Sequence, residues 1–243
     1  MKKICLLLLA FMLLPLYATP LFAGTPHNPA AENVQNASVN AGGKILNFNL
    51  PPAYHSSGDL FAADFDLAKA VMAESGLNLY RYYVSASDYQ TRLKSAGSRV
   101  NEYIIVCGPY DDNRNISTHV YNTRRQEVDE AMSKISGSMD TVNKLFQDRL
   151  EGIVTMGSIT ILEQLPLNSA HTVAYLGVSA GRVNKPGGGT EDIMQAFTFT
   201  YTFAENRTLY ISHYRSINST KEVEAFKADT MKFIGNLNLR LAD

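Results

Sequence analysis

The sequence predicts an α+β domain, an antiparallel β-sheet flanked by helices, and three observations carry that prediction. Ala196 to Phe203 alternates Phe197, Phe199, Tyr201 and Phe203 with Thr198, Thr200 and Thr202, the period of two that a strand with unlike faces requires. Val128, Met132, Ile135, Met139, Val142 and Phe146 recur at spacings of three and four, which places them on one helical stripe. Val223, Phe226, Phe233, Ile234, Leu237 and Leu241 form a second stripe, and Ser219 with Glu222 just before it has the spacing of a capping box.

The elements follow in chain order. Met1-Lys2-Lys3, the apolar run Ile4 to Leu16 and the small residues at Ala23-Gly24 have the three parts of a secretory signal. Pro15 and Pro20 interrupt the run and leave it shorter than the roughly 20 residues of a bilayer span. Residues 1–23 are therefore expected to be a cleaved signal peptide, 24–43 a flexible leader rich in Pro, Asn, Ala and Gly, and 44–243 a single domain, periplasmic or secreted. Lys44 to Leu50 reads as a strand stopped by Pro51-Pro52, and Asp59 to Glu74 as a short helix closed by Gly76. Leu77 to Val84 and Tyr103 to Cys107 read as strands, the second buried on both faces because Ile104-Ile105-Val106 has no polar break. The first stripe spans a helix from Thr123 to Leu150, with Thr123 and Gln126 as its capping box. Ile153 to Leu165 and His171 to Val178 read as strands, and Ala204 to Arg207 turns the aromatic strand into Thr208 to Tyr214 as a hairpin. The aromatic face of that hairpin must be covered, and the last helix is its expected cover.

This order of elements resembles a known family. Leu50-Pro51-Pro52-Ala53 after a strand, Glu102 to Asp111 leading into the long helix, a β-meander, and Tyr210-Ile211-Ser212-His213-Tyr214 before a terminal helix are together similar to the PsbP/DcrB-like α/β/α sandwich. The resemblance implies an accessory or assembly protein without catalysis, and it brings no binding residues with it.

Charge and cysteine content narrow the chemistry. The net charge is −1, and loss of Lys2 and Lys3 leaves 20 basic side chains against 23 acidic ones, with no clustered basic footprint for nucleic acid. No segment after the signal is apolar enough to span a membrane. Cys5 departs with the signal, so Cys107 is the single thiol and no internal disulfide can form. No cofactor motif is present, and the five histidines at 27, 55, 119, 171 and 213 lack the short spacings of metal ligands. Asp111-Asp112-Asn113-Arg114-Asn115, near His119, lacks the alternation and closing Glu of a calcium loop.

Three residues stand as catalytic candidates. Cys107 follows an apolar strand, where a thiol is a small hydrophobe with a raised pKa. Gly177-Val178-Ser179-Ala180-Gly181 places Ser179 as a nucleophile elbow does, but no helical period follows it before Pro186. His213 shares a face with Leu209 and Ile211 and is expected beneath a helix, held by a hydrogen bond. A triad of Ser179, Asp192 and His213 is the resulting enzymatic alternative. Pro186-Gly187-Gly188-Gly189 precedes a strand, so it reads as a connection between strands and not as a phosphate loop. The expectation is therefore a non-enzymatic envelope protein that binds a partner protein. The alternatives are a hydrolase using Ser179 or Cys107 with His213, and a small-molecule-binding protein with its cleft between sheet and helix.

Overall fold

The computed structural model describes residues 36–51, 53–95, 98–110, 115–135, 154–184 and 188–242. Its strands are β1 (Asn36–Ala41), β2 (Lys44–Asn49), β3 (Tyr54–Ser56), β4 (Leu77–Ser85), β5 (Glu102–Pro109), β6 (Val154–Gln164), β7 (Thr172–Asn184), β8 (Thr190–Ala204), β9 (Arg207–Ser216) and β10 (Arg240–Leu241). Its helices are α1 (Ala62–Glu74), α2 (Ala86–Lys94), α3 (Thr118–Lys134) and α4 (Thr220–Gly235). The fold is α+β, with antiparallel sheets flanked by helices. A seven-stranded sheet runs β3-β4-β5-β9-β8-β7-β6 and a three-stranded one β1-β2-β10, and every pairing is antiparallel.

The β8–β9 hairpin lies at the middle of the large sheet. Glu205 and Asn206 turn it with φ of 52° and 61°, the left-handed pair whose twist matches that of the flanking strands. Each residue of β9 from Arg207 to Tyr214 is buried, so the sheet is covered on both sides. On one face Tyr82, Tyr103, Cys107, Phe197, Phe199 and Tyr201 pack with Val71 and Met72 of α1 and Tyr121, Val128 and Met132 of α3. On the other, Ile104, Val106, Leu209 and Ile211 pack with Phe226, Phe233 and Ile234 of α4 and with Val39, Leu46 and Phe48 of the small sheet.

That division corrects the expected cover. The aromatic face of β8 lies in the core of α1 and α3, and α4 covers the opposite face, where Thr198, Thr200 and Thr202 are buried. Alternation assigns each residue to a side but leaves open which helix comes to that side. A threonine face on a central strand is as buried as an aromatic one, because the methyl group packs where the hydroxyl does not.

Other boundaries move for local reasons. The expected leader contributes β1: Ala37, Val39 and Ala41 are buried against the sheet, and Gly42 and Gly43, at φ 57° and 79°, turn the chain into β2. Its apolar residues are too small to give a strong period. Helix α3 starts under Ser117, whose hydroxyl accepts from the Val120 amide at 3.3 Å, while the Thr123 hydroxyl donates to the His119 carbonyl. Val128, Met132 and Ile135 are buried as expected; Met139, Val142, Phe146 and the stretch to Leu150 lie outside the described residues. Helix α4 ends at Gly235, so Leu237 is buried beyond it and Leu241 sits in β10, 39% exposed, off the expected stripe. Glu222 caps the start of α4 by accepting from the Asn218 amide and the Ser219 hydroxyl.

Helix α2 is the element with no period to announce it: of nine residues, Asp88, Tyr89 and Arg92 are buried. Arg92 reaches Asp64 of α1 at 3.1 Å and lies over the Phe61 ring, so a buried ion pair and not an apolar stripe docks it. Gly177 shows why the Gly-Val-Ser-Ala-Gly run is straight strand: Phe197 is its cross-strand partner, and a Cβ at Gly177 would overlap the Phe197 ring. Gly177→Ala is expected to destabilise the protein by about 1–3 kcal/mol through overpacking, and Phe226→Ala by about 3–5 kcal/mol through a cavity. Denaturant unfolding measures both, and truncation after Ser216, which removes α4, is expected to abolish the cooperative transition.

Candidate functional site

Strands β3, β5 and β9 and helix α4 bring six polar side chains together at one end of the sheet. Tyr54 donates its hydroxyl to Glu102 Oε1 at 2.6 Å and lies 2.7 Å from His213 Nε2. His213 Nε2 is also 3.0 Å from Glu102 Oε1, and Arg215 Nη2 donates to that same oxygen at 2.6 Å. The other arm of Arg215 reaches Asp229 Oδ2 at 2.9 Å, and its guanidinium lies over the Phe226 ring. On its far side the imidazole meets Thr230, with Nδ1 and Oγ1 3.1 Å apart. In the neutral ring that fits these partners, Nε2–H donates to Glu102 and Nδ1 accepts from the Thr230 hydroxyl.

Local structure places each of these groups. His213 and Arg215 are two apart on β9 and so share its α4 face. Glu102 opens β5 one residue after Asn101, and Asp88 at the start of α2 fixes that point. Its carboxylate accepts from the amides of Asn101 and Glu102, the Asn101 side chain and the Ser85 hydroxyl. Helix α2 is thus docked by Arg92 at one end and clamps the start of β5 with Asp88 at the other. Around the network lies a cleft of about 660 Å³ between α4 and the sheet, walled by Leu50, Pro51, Ser87 and Phe233, with Asp229 and Lys232 at its α4 side.

The electrostatics follow from burial and pairing. Burial raises the Glu102 carboxyl, but hydrogen bonds from His213, Arg215 and Tyr54 outweigh it and hold the group down at about 2. Burial holds His213 below the ordinary imidazole range against the pull of Glu102, and it pushes the Tyr54 phenol well above its usual value, with Glu102 adding to the rise. At neutral pH the site is an ionised Glu102 between a guanidinium, a phenol and a neutral imidazole.

The sequence candidates do not converge. His213 pairs across the sheet with Thr198, which pairs with Leu176. Ser179 pairs with Gln195 and belongs to the opposite face, that of Tyr175 and Phe197. Cys107 is on that opposite face too, fully buried, with its thiol pushed well above the usual value by burial. Asp192 is exposed and paired with Arg182 at 2.8 Å. Among the described residues, none of the candidate bases lies beside Ser179 or Cys107. His213 is where it was expected, beneath a helix, but held by three partners. Tyr54, Glu102, Arg215 and Thr230 were not singled out from the sequence, although the His213-x-Arg215 spacing on a buried strand is a signal for a paired charge.

Two measurements check this geometry. Glu102→Gln is expected to lower stability by about 1.5–3 kcal/mol at pH 7, the range for hydrogen bonds to a charged group. Because the folded carboxyl lies below its unfolded value of 4.5, that contribution is complete above pH 4.5 and disappears as the pH falls toward about 2. Unfolding titrations of wild type and variant across that window should therefore converge in acid. The Cys107 thiol is expected to react with a small disulfide reagent only as fast as the protein unfolds.

No family model matches the chain, and no curated protein matches it. Among solved structures, a mutant of protein Mog1 is similar at a TM-score of 0.39 and 11% identity, covering 86% of this chain and 96% of that one. The Ran-binding protein Mog1p of Saccharomyces cerevisiae is similar at a TM-score of 0.37 and 12% identity, covering 84% and 94%. At that distance the likeness carries neither a partner nor a site across.

Proposed function

We propose that this chain is an exported, non-enzymatic accessory protein, periplasmic or secreted, that holds a partner protein in the cleft between α4 and the sheet. One observation carries the reading: the charged groups at the floor of the cleft are engaged with one another. Glu102 Oε1 receives three donors, Arg215 spans two carboxylates, and Asp88 receives four donors. A nucleophile awaiting a substrate needs a base beside it, whereas these groups make a mutually bonded floor beside Leu50, Pro51 and Phe233, which suits contact with a partner. The Met1-Lys2-Lys3 start and the apolar run after it, read as a signal peptide, support export. Among the described residues no helix is long and apolar enough to cross a membrane. The order of elements and the helices on both faces of the sheet support a PsbP/DcrB-like sandwich, whose members are expected to be accessory proteins.

A second reading rests on size. A cleft of about 660 Å³ lies within the roughly 300–1,000 Å³ of small-molecule sites, so a single small ligand is the alternative occupant.

The test is a photo-crosslinking amino acid placed at Ser87, on the cleft, or at Leu162, exposed on the strand at the other edge of the sheet. Expressed with its signal peptide in a bacterial host, the Ser87 probe is expected to give a discrete protein adduct and the Leu162 probe none. Equal labelling from both positions, or none from either, sinks the partner reading. A small ligand would instead raise the melting temperature, with stabilisation of about 2.7 kcal/mol at a hundredfold excess over Kd.

A further inference from the structure

We infer that the Tyr54–Glu102–His213–Thr230 chain is a latch that closes α4 onto the sheet at neutral pH and loosens in acid, so that cleft opening follows the pH of the surroundings. This rests on the reading of the cleft as the binding site and names its regulation.

The geometry makes His213 the joint. Its ring is 2% exposed and bonds to β3 through Tyr54, to β5 through Glu102 and to α4 through Thr230, so one side chain ties three elements to β9. All three line the cleft, β3 with Tyr54, β5 with Glu102 and α4 with Asp229, Lys232 and Phe233. The neutral ring satisfies every partner. A proton added from solvent at Nδ1 meets the hydrogen that Thr230 already donates there; the hydroxyl must then turn away and find another acceptor, for which the carbonyl one helical turn back is in reach.

The charges facing the ring decide which state is favoured. From β5 comes Glu102, which attracts an imidazolium. From its own strand comes Arg215, already bonded to the Glu102 oxygen that the ring uses. From α4 comes Asp229, occupied by Arg215, and from β3 the neutral Tyr54 phenol. The rest of the ring's surroundings are apolar, with Phe226 centred 4.6 Å and Phe233 6.3 Å away. Two cations would then share one carboxylate oxygen against two phenyl rings. Burial accordingly lowers the affinity of the folded ring for the proton. A lowered folded value means that the unfolded or opened ring binds protons first. Stability at the latch is therefore complete above the ordinary imidazole range, near 6.5, and declines below it.

The test is a titration of the exported chain between pH 8 and 4.5. Nitrogen-15 NMR of the histidine rings reads the His213 tautomer, and hydrogen exchange, corrected for its intrinsic pH dependence, reads α4. The expected result is a neutral Nε2–H ring at pH 6.5. Below that, the opening equilibrium of residues 220–235 should rise by up to about tenfold per pH unit, the limit for one linked proton. His213→Gln should flatten the dependence, and His55→Gln, in the neighbouring strand β3, should leave it in place. A charged His213 ring at pH 7, or α4 protection that holds or rises in acid, overturns the latch. The wild-type titration decides this even if His213→Gln fails to fold. Failure of the latch leaves the Ser87 crosslinks at pH 7 unaffected, and loss of those crosslinks leaves the titration unaffected, so the two proposals fail separately.

Discussion

Strand β9 is buried on both faces, and much of the rest of the molecule answers to that constraint. It is the fourth of seven strands, with α1 and α3 over its tyrosines and α4 over Leu209, Ile211 and His213. An imidazole in that position has no water to bond to, and an unpaired buried polar group costs about 1–3 kcal/mol. Partners must come from the elements that cover it, and they come from β3, β5 and α4 together.

The same requirement explains why the charges gather where they do. Glu102 is only partly exposed and would be costly to ionise alone, yet three donors converge on one of its oxygens and keep it charged. Arg215 then brings Asp229 into the set. Removing one member leaves the others unsatisfied, which is the circumstance in which buried polar networks matter most for a unique structure. Asp88 and the Asp64–Arg92 pair act in the same way one layer out, fixing α2 and through it the start of β5. The cleft is the space left where α4 meets this polar end of the sheet, with Leu50, Pro51 and Phe233 beside the paired charges.

This arrangement bears on how function is read from the fold. A buried histidine beside a carboxylate is half of a catalytic constellation, and a serine in a Gly-x-Ser-x-Gly run supplies an apparent third member. The pleat separates them: Ser179 and His213 lie on opposite faces of one continuous sheet, and no rotamer brings side chains through it. What remains on the α4 face is a set of groups that hold one another in place.

Most of the elements were legible in the sequence, because a period of two or of 3.6 is a local property of the chain. The hairpin from Ala196 to Tyr214, the strands at Leu77 and Tyr103, the helix ending at Gly76 and the burial of His213 all follow from spacing and turn residues. Elements held by something other than an apolar period were missed. Strand β1 alternates residues too small to register, and α2 is docked through Arg92 and Asp88. The site was legible only at His213, since Tyr54, Glu102 and Thr230 are polar residues whose roles depend on partners more than 15 positions away. Side chains choose a face by their spacing along the strand, but which helix arrives at that face, and which distant oxygen meets a given ring, depends on how the layers stack, and that was decided only by the tertiary structure.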